Sequence, residues 1–291
     1  MRPFRCGKGP IAVSLRAVST SSAARPVKGS ASIQVLGRVA GRRRMAPVLQ
    51  ADSDTVLLDL DGFCLAVLGA AAVQLPCGVR TNVAALPQTR VGDQVAVADG
   101  VLQLPRLEVL VTHIVDNTVP VLDAAAATWG TGHLESAAGD SLRAMRKDVP
   151  CDGLELLAGA DPRAVDALIG TGPSGTRLGE DVLAGWLAAA VATRHPALPR
   201  VRTATLLALR ESTDLLGATL LGCASRGETV PEFRSLLVAL GAGDGKAVRE
   251  PLDVLLSRRT SGGAGLVLGA LHALADLADR SPLGKDLASA G

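Results

Sequence analysis

Residues 168–185 have the sequence LIGTGPSGTRLGEDVLAG, and this stretch sets how the second half of the chain folds. Four glycines and one proline fall within ten residues, and the acidic pair Glu180-Asp181 then precedes an apolar run with helical spacing. Upstream, Asp161-Pro162 is a good helix start, because Asp caps a helix and Pro suits its first turn. The pattern predicts a helix, a glycine-rich turn and a second helix.

The predicted turn places free backbone N–H groups at a helix N-terminus, where the helix dipole also favours negative charge. One interpretation is therefore a binding site for a phosphate or a carboxylate. The other is a tight connection between two helices with no ligand, because the turn matches neither the P-loop nor the dinucleotide-binding fingerprint. The pattern alone leaves both interpretations open.

The composition predicts a soluble protein whose core is built from small aliphatic side chains. A chain of 291 residues can bury a large core and is long enough for two domains. It is 48% hydrophobic but has three Phe, two Trp and no Tyr, so Ala, Leu and Val must fill the core. The longest apolar runs are shorter than the roughly 18 residues that span a bilayer, so no membrane association is expected.

The charge is distributed unevenly along the chain. Residues 1–50 carry ten Lys or Arg and no acidic residue, which leaves the other 241 residues with a net charge of −8. This acidic body argues against a general nucleic-acid-binding role. The five cysteines are odd in number and lack CxxC spacing, and the four histidines lack metal-binding spacing. We therefore expect reduced thiols in a cytoplasmic protein, with no disulfide framework and no metal site of this kind.

The residue patterns divide the chain into three segments. Residues 1–30 are predicted to be a disordered basic arm, although a transit peptide or a start placed too far upstream would have the same composition. Residues 31–125 carry strand patterns with Asp-Gly turns at residues 61–62 and 99–100, which predict a small antiparallel β-barrel or sandwich. Residues 126–291 are predicted to form a mainly α-helical domain with glycine-rich loops at helix N-termini, which makes the protein α+β.

The helical segment gives more specific predictions. Residues 202–224 are predicted to form one long helix, and residues 229–232 (TVPE) a capping box that opens the next one. Residues 258–263 (RRTSGG) form a second polar, glycine-containing turn, which leads into a helix over residues 266–277. If the helices after the two turns pack side by side, both turns would present N–H groups to one ligand.

The two glycine-containing turns resemble motifs of a known bacterial family. Residues 170–181, GTGPSGTRLGED, are similar to the pattern G-x-G-P-G-L-T-P-S-G-D-D of the AllH-type subunits of the anaerobic oxamate carbamoyltransferase. Residues 258–264, RRTSGGA, are similar to its motif G-H-T-S-G-A-D, and residues 213–228 resemble its pattern T-T-x-x-S…L-L-x-x-A…G-E. The resemblance extends over about residues 32–277, because the β-rich part also fits the family layout.

The resemblance implies a subunit of an enzyme that transfers a carbamoyl group between oxamate or oxalurate and phosphate in ureide (allantoin) nitrogen catabolism. The implied partners are other subunits of the same complex and a small anionic substrate, carbamoyl phosphate or an oxamate-like molecule. Glu180 and Asp181 are the predicted catalytic residues, as a base or as ligands of Mg²⁺, the one cofactor considered. The predicted ligand-binding residues are Gly172, Pro173, Thr176, Arg177, Gly179, Arg259, Thr260, Ser261 and Gly262.

Departures from the family pattern keep a second interpretation open. The residues that replace family side chains are Arg177-Leu178 for Pro-Ser, Gly217 for Ser, Arg259 for His and Ala264 for Asp. A chain that kept the fold but lost catalytic residues would be a non-catalytic subunit that binds a small anion or assists assembly. The acidic pair and the hydroxyls of the second turn also suit helix starts without any ligand.

The remaining reactive side chains are predicted to be structural. His195 follows a helix end, His272 lies in an apolar helical run, and Cys151 and Cys223 adjoin apolar segments. The sequence offers no serine that pairs with a histidine in a triad. Because no Walker-type lysine follows the glycine-rich turn, a nucleotide-dependent kinase fits less well.

Overall fold

The computed structural model describes residues 24–173, 176–211, 214–257 and 262–280. The N-terminal part is a closed β-barrel and the remainder is helical, which confirms the predicted α+β class. Across these ranges, every helix is too short or too polar to cross a membrane.

The barrel consists of eight strands within the described residues. They are β1 (Arg25–Ala31), β2 (Arg44–Ala51), β3 (Thr55–Asp59), β4 (Cys64–Leu68), β5 (Gly78–Thr81), β6 (Gln94–Ala98), β7 (Val101–Leu104) and β8 (Leu107–Ile114). Their order around the barrel is β1-β5-β4-β3-β2-β6-β7-β8. A short helix, α1 (Ile33–Val39), follows β1 and starts at Ser32, whose hydroxyl accepts a hydrogen bond from the Val35 N–H.

Two Asp-Gly turns build hairpins of the barrel. Asp61 and Gly62, between β3 and β4, have φ angles of 55° and 77°, and Asp99 and Gly100, between β6 and β7, have 49° and 81°. Tight antiparallel hairpins need these positive angles, and Asp-Gly tolerates them at little cost. Both predicted hairpins are confirmed, because β3 pairs with β4 and β6 with β7 in antiparallel register.

Two parallel pairings distinguish the barrel from the purely antiparallel one that the sequence predicts. β1 lies parallel to β8, with Arg25 opposite Leu107 and Ala31 opposite Ile114, and β4 lies parallel to β5. β1 also occupies the last residues of the predicted disordered arm, residues 1–30. Its hydrogen-bonding partners are distant in sequence, so the local pattern gives little sign of this strand.

The helical part contains nine further helices within the described ranges. They are α2 (Ala124–Arg146), α3 (Cys151–Ala158), α4 (Ala164–Leu168), α5 (Leu178–Ala192), α6 (Leu198–Ala208), α7 (Leu215–Ser225), α8 (Pro231–Ala242), α9 (Gly245–Ser257) and α10 (Gly262–Arg280). The predicted last helix lies within α10. The predicted turn between two helices lies between α4 and α5.

Helices α5 and α10 form the centre of the helical part. A Cβ at Gly269 would overlap the carbonyl oxygen of Val182, and a Cβ at Gly185 would overlap that of Leu266. Glycine therefore allows the two helix backbones to touch. Trp186 on α5 is fully buried beside this contact. Because α5 is buried on nearly every face, it is apolar all round instead of amphipathic.

Two details of the helical prediction are wrong. Residues 202–224 form α6 and α7 instead of one helix, because Asp214 caps a new helix by accepting hydrogen bonds from two backbone N–H groups at 3.1 Å. The polar residues 210–214 (RESTD) mark this break, and the sequence prediction joins the apolar segments on either side of them. Residues 229–232 do not form a capping box, since α8 is preceded by Val230 and has no side-chain cap.

Helix α7 joins the helical part to the barrel. The hydroxyl oxygen of Thr219 accepts a hydrogen bond of 3.0 Å from the backbone N–H of Cys64 on β4. Leu216 and Leu220, from the same helix, pack against the barrel core. These contacts leave a cavity between the barrel and the N-termini of α5 and α10.

Candidate functional site

A cavity of about 350 Å³ lies where the barrel meets the helical part. Its apolar lining includes Val73 and Pro76, from the segment between β4 and β5, and Leu216 and Leu220 from α7. Its polar lining consists of Thr176, Arg177, Asp181, Glu228 and Thr229, together with Gly262 and Gly263 at the start of α10. The predicted site residues Thr176, Arg177, Asp181 and Gly262 therefore share one cavity.

The glycine-rich turn before α5 is held by hydrogen bonds within itself. The N–H and the hydroxyl of Thr176 both donate to the Pro173 carbonyl oxygen, at 2.9 and 2.8 Å. The N–H of Gly179 donates to the Thr171 carbonyl oxygen at 3.0 Å. The N–H groups of Thr176 and Gly179 therefore hold the turn and are not free to bind an anion.

Gly172, Pro173 and Gly179 shape the turn and are not among the residues that line the cavity. Gly172 has a φ of 137°, which side chains rarely adopt. A Cβ at Gly179 would overlap the carbonyl oxygen of Leu168, so only glycine lets the start of α5 lie directly on α4. The predicted glycines thus position the side chains that follow them.

The two predicted catalytic acids have different surroundings. Glu180 Oε1 accepts a hydrogen bond of 3.0 Å from the N–H of Gly170, which ties α5 to the turn and keeps Glu180 out of the cavity lining. Asp181 lines the cavity. Burial raises the pKa of Asp181 to about 7, while Arg177 lowers it and Glu180 raises it. At neutral pH Asp181 is therefore poised both to hold and to release a proton.

Arg177 supplies the cationic group of the cavity. Its Nε lies 3.3 Å from Oδ2 of Asp214, the residue that caps α7. Its Nη1 is buried and has no hydrogen-bond partner in the part of the chain that the structure describes. A buried N–H group without a partner costs free energy, so an anionic ligand at this atom would be stabilised.

The second glycine-containing turn lies beside the first. A Cβ at Gly262 would be 3.3 Å from Oδ2 of Asp181, so the start of α10 faces the acid of α5. This side-by-side packing is the arrangement that would let both turns serve one ligand. The predicted residues Arg259, Thr260 and Ser261 lie outside the described residues.

Sequence reasoning missed two polar cavity residues, Glu228 and Thr229, which follow α7. The side chain of Glu228 is only 4% exposed, and its Oε1 lies 3.3 Å from Nε of Arg226. Its Oε2 is buried and lacks a hydrogen-bond partner among the described residues. The sequence feature that could have indicated Glu228 is the Gly227-Glu228 pair, which ends the family-like pattern of residues 213–228. Gly227 forms the turn after α7 with a φ of 81°.

The barrel contributes the apolar wall of the cavity. This wall includes Val73 and Pro76, in the segment between β4 and β5. Arg80 on β5 fixes the segment, because its guanidinium donates to the carbonyl oxygen of Ala70 at 2.8 Å and to that of Ala72. An ordered apolar wall next to the charged groups limits the access of water to them.

Of the two acids predicted as a base or as ligands of Mg²⁺, the structure brings Asp181 to the cavity and Glu180 to the turn. Glu180 is engaged with the Gly170 N–H, and Asp181 alone of the two faces the cavity. Over the described ranges, no three or more His, Cys, Asp or Glu side chains are grouped so that they could hold a metal ion. A Mg²⁺ ion in the cavity would therefore have one carboxylate of the predicted pair, Asp181, and would take its other ligands from water or a substrate phosphate.

His195, His272 and Cys223 lie in packed surroundings. Nδ1 of His195 accepts a hydrogen bond from the Ala197 N–H at 3.2 Å, and its Nε2 lies 2.9 Å from Oδ2 of Asp276. Burial lowers the pKa of His195, so the ring is neutral and donates from Nε2. Burial also lowers the pKa of His272 to about 4 and raises that of Cys223 to about 12. Cys223 is therefore a thiol and a poor nucleophile at neutral pH.

Residues 168–274 match the family model described as oxamate carbamoyltransferase subunit AllH. The match confirms the resemblance from the end of α4 into α10, and the barrel lies outside it. The cavity residues from α5, from α7 and its following turn, and from the start of α10 all fall within the matched range. No curated protein and no solved structure gives a significant match to the chain.

Proposed function

We propose that the chain is a subunit of an oxamate carbamoyltransferase-like enzyme and that the cavity binds its small carbamoyl-bearing anion. The observation that carries the proposal is the meeting of Arg177 and Asp181 in one cavity, with Nη1 of Arg177 buried and unpaired among the described residues. The family match over residues 168–274 supports the reaction class.

The proposed reaction transfers a carbamoyl group between oxalurate and phosphate. A phosphate oxygen bonds to the carbamoyl carbon while the bond from that carbon to the oxamate nitrogen breaks, and this nitrogen takes up a proton. Asp181 is suited to give that proton, or to accept it in the reverse direction, because its pKa is raised to about 7. Arg177 binds the carboxylate or phosphate, since a guanidinium suits both anions.

The apolar wall contributes by excluding water. Carbamoyl phosphate and oxalurate both react with water, so a cavity half-lined by Val, Leu and Pro protects them while charge moves between oxygen and nitrogen. The reaction needs positioning and charge stabilisation more than it needs a covalent nucleophile. This fits a cavity whose adjacent Cys223 remains a thiol.

The alternative function is a non-catalytic subunit that binds a small anion or assists assembly. The observation in its favour is that Glu180, Gly179 and Thr176 are engaged in holding the turn, which leaves fewer groups for chemistry. In either case the family description implies other subunits as partners. We further propose a cytoplasmic location and a role in ureide (allantoin) nitrogen catabolism, with no nucleic acid as partner.

The proposal is tested by the thermal midpoint of the purified chain with phosphate, carbamoyl phosphate, oxamate and oxalurate. A ligand that binds only the folded state at 100 times its Kd stabilises the protein by about 2.7 kcal/mol. We expect this stabilisation with oxamate or carbamoyl phosphate, and its loss in Arg177→Met. The matched control is Arg163→Met, because Arg163 is exposed and pairs with Asp161 away from the cavity.

Three results are informative. If no ligand shifts the midpoint of the wild-type chain, the binding proposal is wrong. If binding occurs but Arg177→Met and Arg163→Met behave alike, the anion lies elsewhere. Turnover of oxalurate with phosphate in the assembled complex, and its loss in Asp181→Asn, would separate the catalytic function from the non-catalytic one.

A further inference from the structure

Glu228 is a buried acid that the proposed reaction does not yet use. It lies just after α7, is 4% exposed and lines the same cavity as Arg177 and Asp181. One of its oxygens, Oε1, faces Nε of Arg226 at 3.3 Å. The other, Oε2, has no hydrogen-bond partner among the described residues.

An unpaired oxygen of this kind indicates a missing donor. Leaving a buried acceptor without a hydrogen bond costs about 1–3 kcal/mol, and more when the group is charged. The neighbouring Cys223 thiol hydrogen-bonds to the Glu228 carboxyl, but a thiol is only a weak donor and does not replace an N–H group. A ligand that places an N–H group on Oε2 would recover this free energy.

The position of Glu228 relative to Arg177 indicates what such a ligand contains. Arg177 is tied to the start of α7 through Asp214, and the N–H of Glu228 donates to the Cys223 carbonyl oxygen near the end of α7, at 3.0 Å. Both side chains line the same cavity, which thus offers a cation and a separate hydrogen-bond acceptor. A matching ligand has an anionic group and a separate N–H donor.

We propose that Glu228 accepts a hydrogen bond from the NH₂ of the carbamoyl or primary-amide group and thereby selects amide-bearing anions over anions of the same shape that lack the amide. This inference rests on the proposed function, since it concerns the same cavity. It assigns Glu228 to specificity and leaves proton transfer to Asp181. The N–H of the ligand would also offset the free-energy cost of burying this carboxyl group.

The test compares ligand pairs that differ only by NH₂ and CH₃: oxamate with pyruvate, and carbamoyl phosphate with acetyl phosphate. Dissociation constants are measured by calorimetry for the full chain, with Glu228→Met and Glu228→Gln as variants. Met removes the acceptor at similar length, whereas Gln keeps a carbonyl oxygen. Glu250→Gln, on the exposed surface of α9, is the matched control.

We expect the wild-type chain to bind the amide of at least one pair about 10-fold to 100-fold more tightly than its methyl counterpart, as a hydrogen bond to a charged group implies. Glu228→Met should bind both members of that pair within about twofold of each other, and Glu228→Gln should be intermediate. The control should keep the wild-type preference. Circular dichroism of each variant would verify that it is folded.

The outcomes separate the two proposals. If the wild-type chain prefers the amides and Glu228→Met keeps that preference, the role of Glu228 is wrong while the binding function stands. Equal binding of both members of each pair by the wild-type chain also overturns the role of Glu228. If the wild-type chain binds none of the four anions, the proposed function fails and this inference fails with it.

Discussion

The barrel and the α5–α10 helix pair fill their cores in different ways. In the barrel, Val and Leu side chains from hydrogen-bonded strands meet at the centre. In the helix pair, glycines remove the side chains, and the backbone of one helix lies against the other at Gly185 and Gly269. The difference shows that glycines in the helical part allow two helices to pack with their backbones in contact. The predicted cavity residues Thr176, Arg177, Asp181 and Gly262 lie at the N-terminal ends of these two helices.

The largest predicted effect is on the glycine contact itself. Gly269→Ala should destabilise the protein by more than about 4 kcal/mol, because its Cβ would overlap the carbonyl oxygen of Val182 and a helix backbone cannot yield locally. Thermal or denaturant unfolding followed by circular dichroism would measure the change.

Gly132→Ala is the matched control for this prediction. Gly132 is exposed on α2, and a Cβ there meets no atom within 4 Å. Replacing it should stabilise the protein by about 0.5–1 kcal/mol through helix propensity alone. If Gly269→Ala changed the free energy of unfolding as little as Gly132→Ala, the helices α5 and α10 would not be in backbone contact at Gly269.

The second prediction concerns Asp181, which lies against the start of α10 and lines the cavity. Because the pKa of Asp181 in the folded protein is about 7 against a usual 3.8, the folded state keeps a proton that the unfolded state releases between these pH values. Its contribution to stability is full below pH 4 and falls by about 1.4 kcal/mol per pH unit up to pH 7. Asp181→Asn should therefore be more stable than the wild type by up to about 4 kcal/mol at pH 8.

The measurement is the free energy of unfolding of both proteins at pH 4, 6 and 8. His195 and His272 have lowered pKa values and lose stability as the pH falls below 6.5, but both proteins share that loss. The difference between the two proteins thus isolates Asp181. A difference that stayed constant with pH would contradict the burial of this acid.

The smallest predicted effect is at the joint between barrel and helices. Thr219→Val should cost about 1–2 kcal/mol, because it leaves the buried N–H of Cys64 without its acceptor. Thr219→Ser keeps the hydroxyl and should lose less. Hydrogen exchange at the Cys64 amide gives a direct readout, which should accelerate in the Val variant and change little in the Ser variant. Equal exchange in both variants would mean that the hydroxyl does not hold this amide.

The parts of the fold that the sequence predicts are those with local causes. The Asp-Gly hairpins follow from backbone angles that few other residue pairs accept. Strand β1 (Arg25–Ala31) escaped prediction because its partners, β5 and β8, are far along the chain. The break between α6 and α7 is missed because the prediction joins two apolar helical segments across the polar residues 210–214, where Asp214 caps a new helix.

The sequence also predicted part of the candidate site, namely the residues that belong to the family-like motifs. The motif pointed to Thr176, Arg177, Asp181 and Gly262, which line one cavity. It could not show that Glu180 binds the Gly170 N–H, since that depends on how the turn folds back. It also could not single out Glu228, because burial and the unpaired oxygen arise only when the end of α7 meets the cavity.

We propose above that the cavity between the barrel and the α5–α10 pair binds a small carbamoyl-bearing anion. The most direct test is the crystal structure of the protein grown with oxamate at a concentration that saturates binding in solution. We expect oxamate inside this cavity, with its carboxylate within hydrogen-bond distance of Nη1 of Arg177. Oxamate bound at another surface, with this cavity empty, would contradict it.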